Sequence, residues 1–346
     1  MKVADFNYHL PQTLIAQEPL AKRDTSRLLV LPRDNGVIEH KQFLNIVDYL
    51  QAGDVLVLNN SKVIPARLLG RKADTKGQAE VFLSKRQSNQ NSEVWECLLK
   101  GKNLNSGSVI ELNQGLIAKV MIKQDDVWLV EFNKIGAEFM GTIEQIGQTP
   151  LPPYIKKQPT DKDRETYQTV YADDDKQGSV AAPTAGLHFT PELLKKIADK
   201  GVKIEYLTLH VGLGTFLPVK TEDLEDHRMH AEWVEVKQTT MQTIVQAKKD
   251  NKKIIAVGTT ACRSLEAVWQ KNELDKDFSV WVDIFIYPGY QFRVVDNLIT
   301  NFHLPKSTLL MLVSALAGKD KIDRAYQEAI DQEYRFYSYG DAMLIC

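Results

Sequence analysis

Between residues 66 and 132 five short apolar segments follow one another with no helical run among them: VFL, VWECLL, VIEL, LIAKVMI and VWLVEF. This texture restricts the fold more than any other feature of the chain. The clusters Ser88-Asn89-Gln90-Asn91, Asn105-Ser106-Gly107, Asn113-Gln114-Gly115 and Gln124-Asp125-Asp126 separate the segments as turns. Strands this short, joined by tight turns, hide their apolar faces by curling into a small antiparallel barrel. Thr149-Pro150-Leu151-Pro152-Pro153 then breaks regular structure. On either side the texture is α/β. RLLVL at 27–31 and 37–40 flank an Asn35-Gly36 hairpin signal, 43–50 has helical spacing, and DVLVL at 54–58 reads as a buried strand. Thr190-Pro191 opens a helix that Gly201 stops, and 202–211 and KIIAV at 253–257 are strands. A helix follows Gly258-Thr259-Thr260, 279–287 is a further strand, and 309–317 and 322–333 are helices. The expected fold is α/β: a main α/β domain made of 1–65 and 149–346, with a small antiparallel β-barrel domain inserted at 66–148.

At 346 residues the chain exceeds one ordinary compact domain and buries a large core without disulfides or structural metal. Cys97, Cys262 and Cys346 are too few and too widely spaced for a disulfide framework or a zinc ribbon, which fits a reducing compartment. The start, MKVADFNYHL, lacks the apolar run of a signal peptide, and the most apolar stretch, 309–317, falls short of the ~20 residues that span a bilayer. The chain is therefore expected in the cytoplasm. A net charge of −2 is not the balance of a dedicated nucleic-acid binder. An RNA substrate would require a limited basic surface, for which Lys156, Lys157, Arg164 and Arg263 are candidates.

Five of the seven histidines, His188, His210, His227, His230 and His303, stand in segments rich in Gly, Thr, Pro or Asn. Such segments are loops, where function concentrates. Any one of them alone is ordinarily a hydrogen-bonded structural residue; five together point to a site. On a helix His227 and His230 would share one face, but the spacing is not a zinc motif and no cysteine is near, so no metal site is expected. His210-Val211-Gly212-Leu213-Gly214-Thr215-Phe216 follows a strand. A dinucleotide fingerprint would need glycine at Leu217, so these glycines either let backbone approach a ligand or make a plain turn. Gly258 to Arg263 joins a strand to a helix N-terminus, where free N–H groups suit a carboxylate or a threonine merely caps the helix. Cys262 there is a nucleophile or a small buried residue. No nucleophile elbow or Walker loop is present, and the run Lys248 to Lys253 reads as a solvated face. The residues by themselves favour an α/β enzyme over a non-catalytic RNA-binding module or a metal-dependent hydrolase.

Long segments carry a family resemblance: DFNYHLPQTLIAQEP from Asp5, RDTSRLLVL from Arg23, VLNNSKVIPARL from Val57 and SVAAPTAGLHFT from Ser179. LHVGLGTFLPV from Leu209, EDHRMHAEW from Glu225, FIYPGYQFRVVDNLITNFHLPKSTLLMLVSALAG from Phe285 and YRFYSYGDAMLI from Tyr334 continue it across the whole chain. They resemble the S-adenosylmethionine:tRNA ribosyltransferase-isomerases of queuosine biosynthesis. The resemblance implies an α/β domain with a β-barrel domain. It implies transfer and isomerisation of the ribosyl group of S-adenosylmethionine onto 7-aminomethyl-7-deazaguanine at the tRNA wobble position, giving epoxyqueuosine with release of adenine and methionine. S-adenosylmethionine is then a co-substrate with no tightly bound cofactor, the partner is the anticodon stem-loop of the precursor tRNA, and the enzyme is a monomer without membrane contact.

That chemistry calls for a base at the acidified C5′ position, an acid for departing adenine and a neutral aminomethyl group, hence acids and bases that titrate near neutrality. The resemblance implies His188, His210, His227, His230, Glu232, Asp226 and Asp341 as the catalytic set, with the histidine segments converging on one site. It implies Thr184, Gly186, Gly212, Gly214, Thr215, Gly258, Thr259, Thr260 and Arg263 as the binding set. The chain departs from the family's common GTTSVR and Glu-Trp-Tyr patterns with Ala261-Cys262 and Val234, so neither a hydroxyl at 261 nor a phenol at 234 is available.

Overall fold

The structure is a computed structural model and describes residues 1–34, 36–87, 91–212, 219, 221–271 and 276–346. The first strands are β1 (Arg27–Leu31), β2 (Glu39–Gln42), β3 (Val55–Asn59) and β4 (Lys62–Val63). Six barrel strands follow: β5 (Arg67–Lys72), β6 (Gln78–Arg86), β7 (Glu93–Lys100), β8 (Val109–Leu112), β9 (Ile117–Gln124) and β10 (Val127–Phe132). After helices α1 (Gly136–Ile146) and α2 (Asp161–Thr166) come β11 (Gln177–Ser179), α3 (Pro191–Asp199), β12 (Lys203–Leu209) and β13 (Glu232–Val236). The chain ends with α4 (Gln238–Lys249), β14 (Ile254–Val257), α5 (Gly258–Gln270), β15 (Phe278–Val282), β16 (Asn297–Asn301), α6 (Thr308–Ala317), α7 (Lys319–Asp331) and β17 (Ala342–Ile345).

Nine strands form one sheet in the order β15-β13-β12-β3-β14-β16-β17-β1-β2. Its middle strands β12, β3, β14 and β16 run parallel. Every residue of β3, β14, β16 and β17 is buried, as expected where helices cover both faces. Because the four middle strands are parallel, Asn60, His210, Gly258 and Phe302 all leave the sheet at the same edge. Ligands of open α/β sheets sit beyond such carboxyl ends.

The barrel is closed in the order β10-β7-β6-β5-β8-β9. Alternate residues point inward along β6 and β7, and α1 packs against them, with the Phe139 ring tilted against Phe132 at 4.8 Å and Trp95 at 5.9 Å. The chain enters the barrel at Arg67 and leaves at Gln148. There the two backbones pair through N–H···O contacts of 3.2 and 2.8 Å. The expected mixed α/β fold with an antiparallel barrel is thus the one formed. Among the described residues no helix is long and apolar enough to cross a membrane.

The structure differs from the sequence expectation in several places, among them helices α1 and α4, which the sequence did not announce. Strands β13, β16 and β17 fall outside the expected set, because each is four or five residues long and gains its partners only from distant segments. Strand β15 stops at Val282 instead of reaching 287. Beyond it the chain is irregular up to β16, and part of it hangs on Glu266, whose buried carboxylate accepts the N–H groups of Arg293, Val294 and Val295 and the hydroxyl of Tyr290. Finally, 227–230 is not helical: a short 3-10 turn, Leu224–Asp226, precedes it, so no helix face pairs its two histidines.

Candidate active site

A cleft of about 780 Å3 opens between the barrel and the carboxyl edge of the sheet. The sheet side contributes His210, Gly212, Glu232, Trp233, Arg263 and Trp281, the segment after the 3-10 turn contributes His227, Met229 and His230, and the barrel contributes Lys85, Trp95 and Glu96. Strand β12 delivers His210 because it ends there. Strand β13 returns antiparallel to it, so Glu232 opens that strand within reach of the turn after His210, and the Gly212 N–H points to Glu232 Oε1 at 3.4 Å.

At the cleft floor Arg263 Nη1 donates to Glu232 Oε2 at 2.8 Å, and Arg263 Nε to the Ile284 carbonyl at 3.3 Å. Both side chains are almost fully buried, 6% and 7% exposed. A buried pair repays its desolvation only when its remaining donors and acceptors are met. Among the described residues Arg263 Nη2 is buried without a partner. The same is true of His210 Nδ1 and Thr221 Oγ1, which also line the cleft, and of Thr260 Oγ1 beside it. An unmet buried polar atom costs about 1–3 kcal/mol and is rare in folded proteins. Other buried polar atoms without partners lie elsewhere, but these four face the cleft and its neighbouring cavity, where a polar ligand would meet them.

His210 is held by burial below the usual imidazole range; Glu235 opposes that shift and Lys176 reinforces it. Gly178 lies flat against the imidazole, where a Cβ would stand 3.3 Å from the ring. His227 is likewise lowered by burial and then by the charge of His230, and packs edge-on against Phe285 at 5.2 Å. Both are therefore neutral near pH 7 and able to take up a proton.

A second cavity of about 70 Å3 adjoins the cleft, the two sharing Leu309. It is lined by Thr184, Gly258, Thr259, Thr260, Asn301 and His303, among others, at the N-terminus of α5. Gly258 turns the chain straight from β14 into α5 with a φ of +86°, which a side chain would resist. The free N–H groups of that first helical turn are directed at the cavity's end of the helix.

His188 is placed elsewhere. It is buried against Phe43, 4.9 Å between rings, and lines neither cavity. Asn301 Nδ2 donates to its Nε2 at 3.1 Å, which leaves its Nδ1 proton to Ser26 Oγ at 2.8 Å. Burial, with Arg23 and Arg335 adding to it, depresses its pKa to about 3. The expected convergence of three histidine segments is therefore reduced to two. His188 reaches the small cavity only through Asn301, whose Oδ1 accepts the Thr184 hydroxyl at 3.0 Å. His303 is lowered to about 3 by burial and bonds Thr300 Oγ1 at 2.8 Å.

Other expected site residues also lie outside the two cavities. Asp341 accepts the backbone N–H groups of Arg27 and Arg335, both at 2.8 Å, and so ties β17 to its neighbours. Asp226 is exposed away from the cleft. Gly186 is buried against Thr169 and Tyr171. Cys262 is fully buried, and burial raises its thiol well above the ordinary range, so it is no nucleophile. Gly214 and Thr215 lie outside the described residues. The expected basic surface is largely committed: Lys157 pairs with Glu18 and Asp163, Arg164 holds the carbonyls of Glu144 and Gly147, and Arg263 is buried. Among the described residues no group of three or more His, Cys, Asp or Glu side chains could hold a metal ion. Sequence reading missed Trp233, Trp281, Lys85 and Asn301: Trp281 and Lys85 lie in no motif, and the family segments that contain Trp233 and Asn301 do not show which of their side chains face a cavity.

A mixed α/β sheet joined to a closed barrel, with a deep cleft between them carrying unpaired polar groups, defines a two-part α/β enzyme. The chain matches the family model described as queuosine biosynthesis protein over residues 3–345, and it belongs to that family. It is 55% identical to the S-adenosylmethionine:tRNA ribosyltransferase-isomerase of Acetivibrio thermocellus and 51% identical to that of Desulfitobacterium hafniense, each over 100% of both chains. It is also similar to the crystal structure of S-adenosylmethionine tRNA ribosyltransferase from Thermotoga maritima, at 37% identity and a TM-score of 0.57, covering 99% of this chain and 100% of that one.

Proposed function

We propose that this protein is an S-adenosylmethionine:tRNA ribosyltransferase-isomerase. It moves and rearranges the ribosyl group of S-adenosylmethionine onto 7-aminomethyl-7-deazaguanine at the wobble position, making epoxyqueuosine-tRNA and releasing adenine and methionine. The observation that carries this reading is the set of buried polar atoms with no partner among the described residues, Arg263 Nη2, His210 Nδ1, Thr221 Oγ1 and Thr260 Oγ1, around the cleft and its adjoining small cavity.

The small cavity takes the methionyl end of the donor. A carboxylate suits a helix N-terminus, and Thr259 and Thr260 supply hydroxyls beside it, while Thr184, its proton given to Asn301, lines the wall. The ribose and adenine then extend past Leu309 into the cleft. There Arg263 donates to oxygen on the transferred group, while Glu232 holds Arg263 in place. His210 is the base for the sulfonium-acidified C5′ proton, since a neutral imidazole accepts protons where a charged one cannot. His227 and His230, nearer the solvent, exchange protons with adenine and the aminomethyl group. His188 positions Asn301 and Thr184 and touches no substrate. Residues 66–148 act as an inserted barrel domain that forms one wall of the cleft. The test is release of adenine from S-adenosylmethionine. It is expected with tRNA carrying the 7-aminomethyl-7-deazaguanine precursor and absent with tRNA carrying guanine; release that ignores the RNA overturns the reading.

A further inference from the structure

At the mouth of the cleft β13 and the edge strand β15 place Trp233 directly opposite Trp281. The rings meet edge to face at 5.4 Å. Trp281 is 46% exposed, a large apolar surface left open on an edge strand. Trp233 is held in orientation by its indole N–H, which donates to Glu235 Oε1 at 3.1 Å. From the opposite wall the Lys85 ammonium stands 3.9 Å above the Trp281 ring. Lys85 reaches it because strand β6 slips register between Leu83 and Lys85, and such a bulge re-aims a side chain. Among the described residues Lys85 meets no carboxylate.

From this junction we infer a nucleotide subsite: Trp281, buttressed edge-on by Trp233, stacks one unpaired base of the RNA next to the modified position, and Lys85 neutralises the phosphate attached to it. The inference rests on the function proposed above and names how that substrate is gripped. A half-exposed indole, with a cation over its ring that meets no carboxylate among the described residues, matches one nucleotide: the lysine moves from the ring to the phosphate and the base takes its place over the ring. The alternative grip, a broad basic surface, is poorly provided here, since the rim also bears Asp125, Asp126, Asp174 and Asp175. A rim of mixed sign weakens non-specific attraction to phosphate, so stacking must supply contact that charge does not. The wobble base has to leave its neighbours to reach the cleft floor. A stack for the next base at the cleft mouth holds the strand splayed. It also requires barrel and sheet together, because the cation and the rings come from opposite walls.

The experiment combines protein variants with abasic substitutions. Anticodon stem-loop RNAs carrying the precursor base are made intact, or with one abasic nucleotide at each of the other unpaired loop positions. Adenine release gives kcat/KM for RNA with the wild type, Trp281→Ala and Trp281→Phe. Trp281→Ala should lower kcat/KM on the intact loop by about tenfold to a hundredfold, and Trp281→Phe should restore most of it. At one loop position the abasic change should weaken the wild type by a similar factor and leave Trp281→Ala unaffected. In binding measurements Lys85→Ala should reduce the slope of log affinity against log salt by about 0.7, one single-strand phosphate. If every abasic change weakens the wild type and Trp281→Ala by the same factor, or Lys85→Ala leaves the salt slope unchanged, the subsite is wrong while the enzyme's function stands. If the wild type releases no adenine with the intact loop, the proposed function fails, and the subsite with it.

Discussion

Two polar networks stand at the carboxyl end of the same sheet, and they are built in opposite ways. In one, Ser26, His188, Asn301 and Thr184 form a chain in which both imidazole nitrogens are bonded. In the other, Glu232, Arg263 and His210 surround a cleft with Arg263 Nη2 and His210 Nδ1 left without partners among the described residues. The sequence context of the two histidines is alike: each lies at the edge of a glycine- and threonine-containing loop. What separates them is satisfaction. A closed network has its bonding capacity filled and serves to fix geometry, whereas unmet buried groups are destabilising in the free protein and gain only when a ligand meets them.

The comparison breaks most visibly if the histidines are exchanged in role. His210→Gln should lower turnover by roughly 10²–10⁴-fold with a melting temperature close to the parent's. Single-turnover adenine release and thermal melting on the same preparation decide this; near-normal turnover would remove His210 from the chemistry.

Next in size is the floor pair. Glu232→Ala leaves a buried guanidinium uncompensated and should destabilise by about 3–5 kcal/mol. Replacing both partners, Glu232→Leu with Arg263→Met, should recover most of that stability in urea titrations while leaving the enzyme inactive. A double variant as unstable as the single would show that the pair holds the fold rather than the donor.

His188→Gln probes the satisfied network. It should lose about 1–3 kcal/mol of stability while each folded molecule keeps near-parental turnover. Its acid response adds a sharper signature. Folding keeps His188 and His303 neutral, with pKa values of about 3 against an ordinary 6.5. Below pH 6.5 the unfolded chain binds protons that the folded one refuses, so stability present above that pH declines as the pH falls towards 3. His188→Gln should flatten part of that decline between pH 7 and 5, and melting curves across the range would show an unchanged slope if the assignment is wrong.

The smallest effect is expected at Thr260. Its hydroxyl is buried without a partner, so Thr260→Val should not lower the melting temperature. KM for S-adenosylmethionine should rise by about tenfold, the worth of one hydrogen bond to a charged group. A lowered melting temperature with unchanged KM would place Thr260 among the satisfied residues.

Sequence by itself determined the parts whose signals are local. Turn clusters between short apolar segments, with no helical run among them, announced the barrel, because strands so short hide their apolar faces by curling into one. Thr190-Pro191 announced α3, and the Thr190 hydroxyl does accept the Leu193 N–H at 3.1 Å. The strand-to-helix turn at Gly258 and the position of His210 at a strand end were equally legible. The family motifs marked the chemistry, but they could not rank the residues within it. Bonding partners separate His188 from His210, and place relative to the cleft separates the two buried carboxylates Asp341 and Glu232; the partners come from distant parts of the chain: Ser26 and Asn301 around His188, Arg27 and Arg335 around Asp341. Short strands such as β16 and β17 exist only because neighbours complete their hydrogen bonds. The Trp233–Trp281 pair and the lysine above it arise from cross-strand register and a bulge, neither of which leaves a mark on the sequence. Local periodicity could predict the elements, while the unmet polar atoms that define the cleft became visible only once the whole chain had packed.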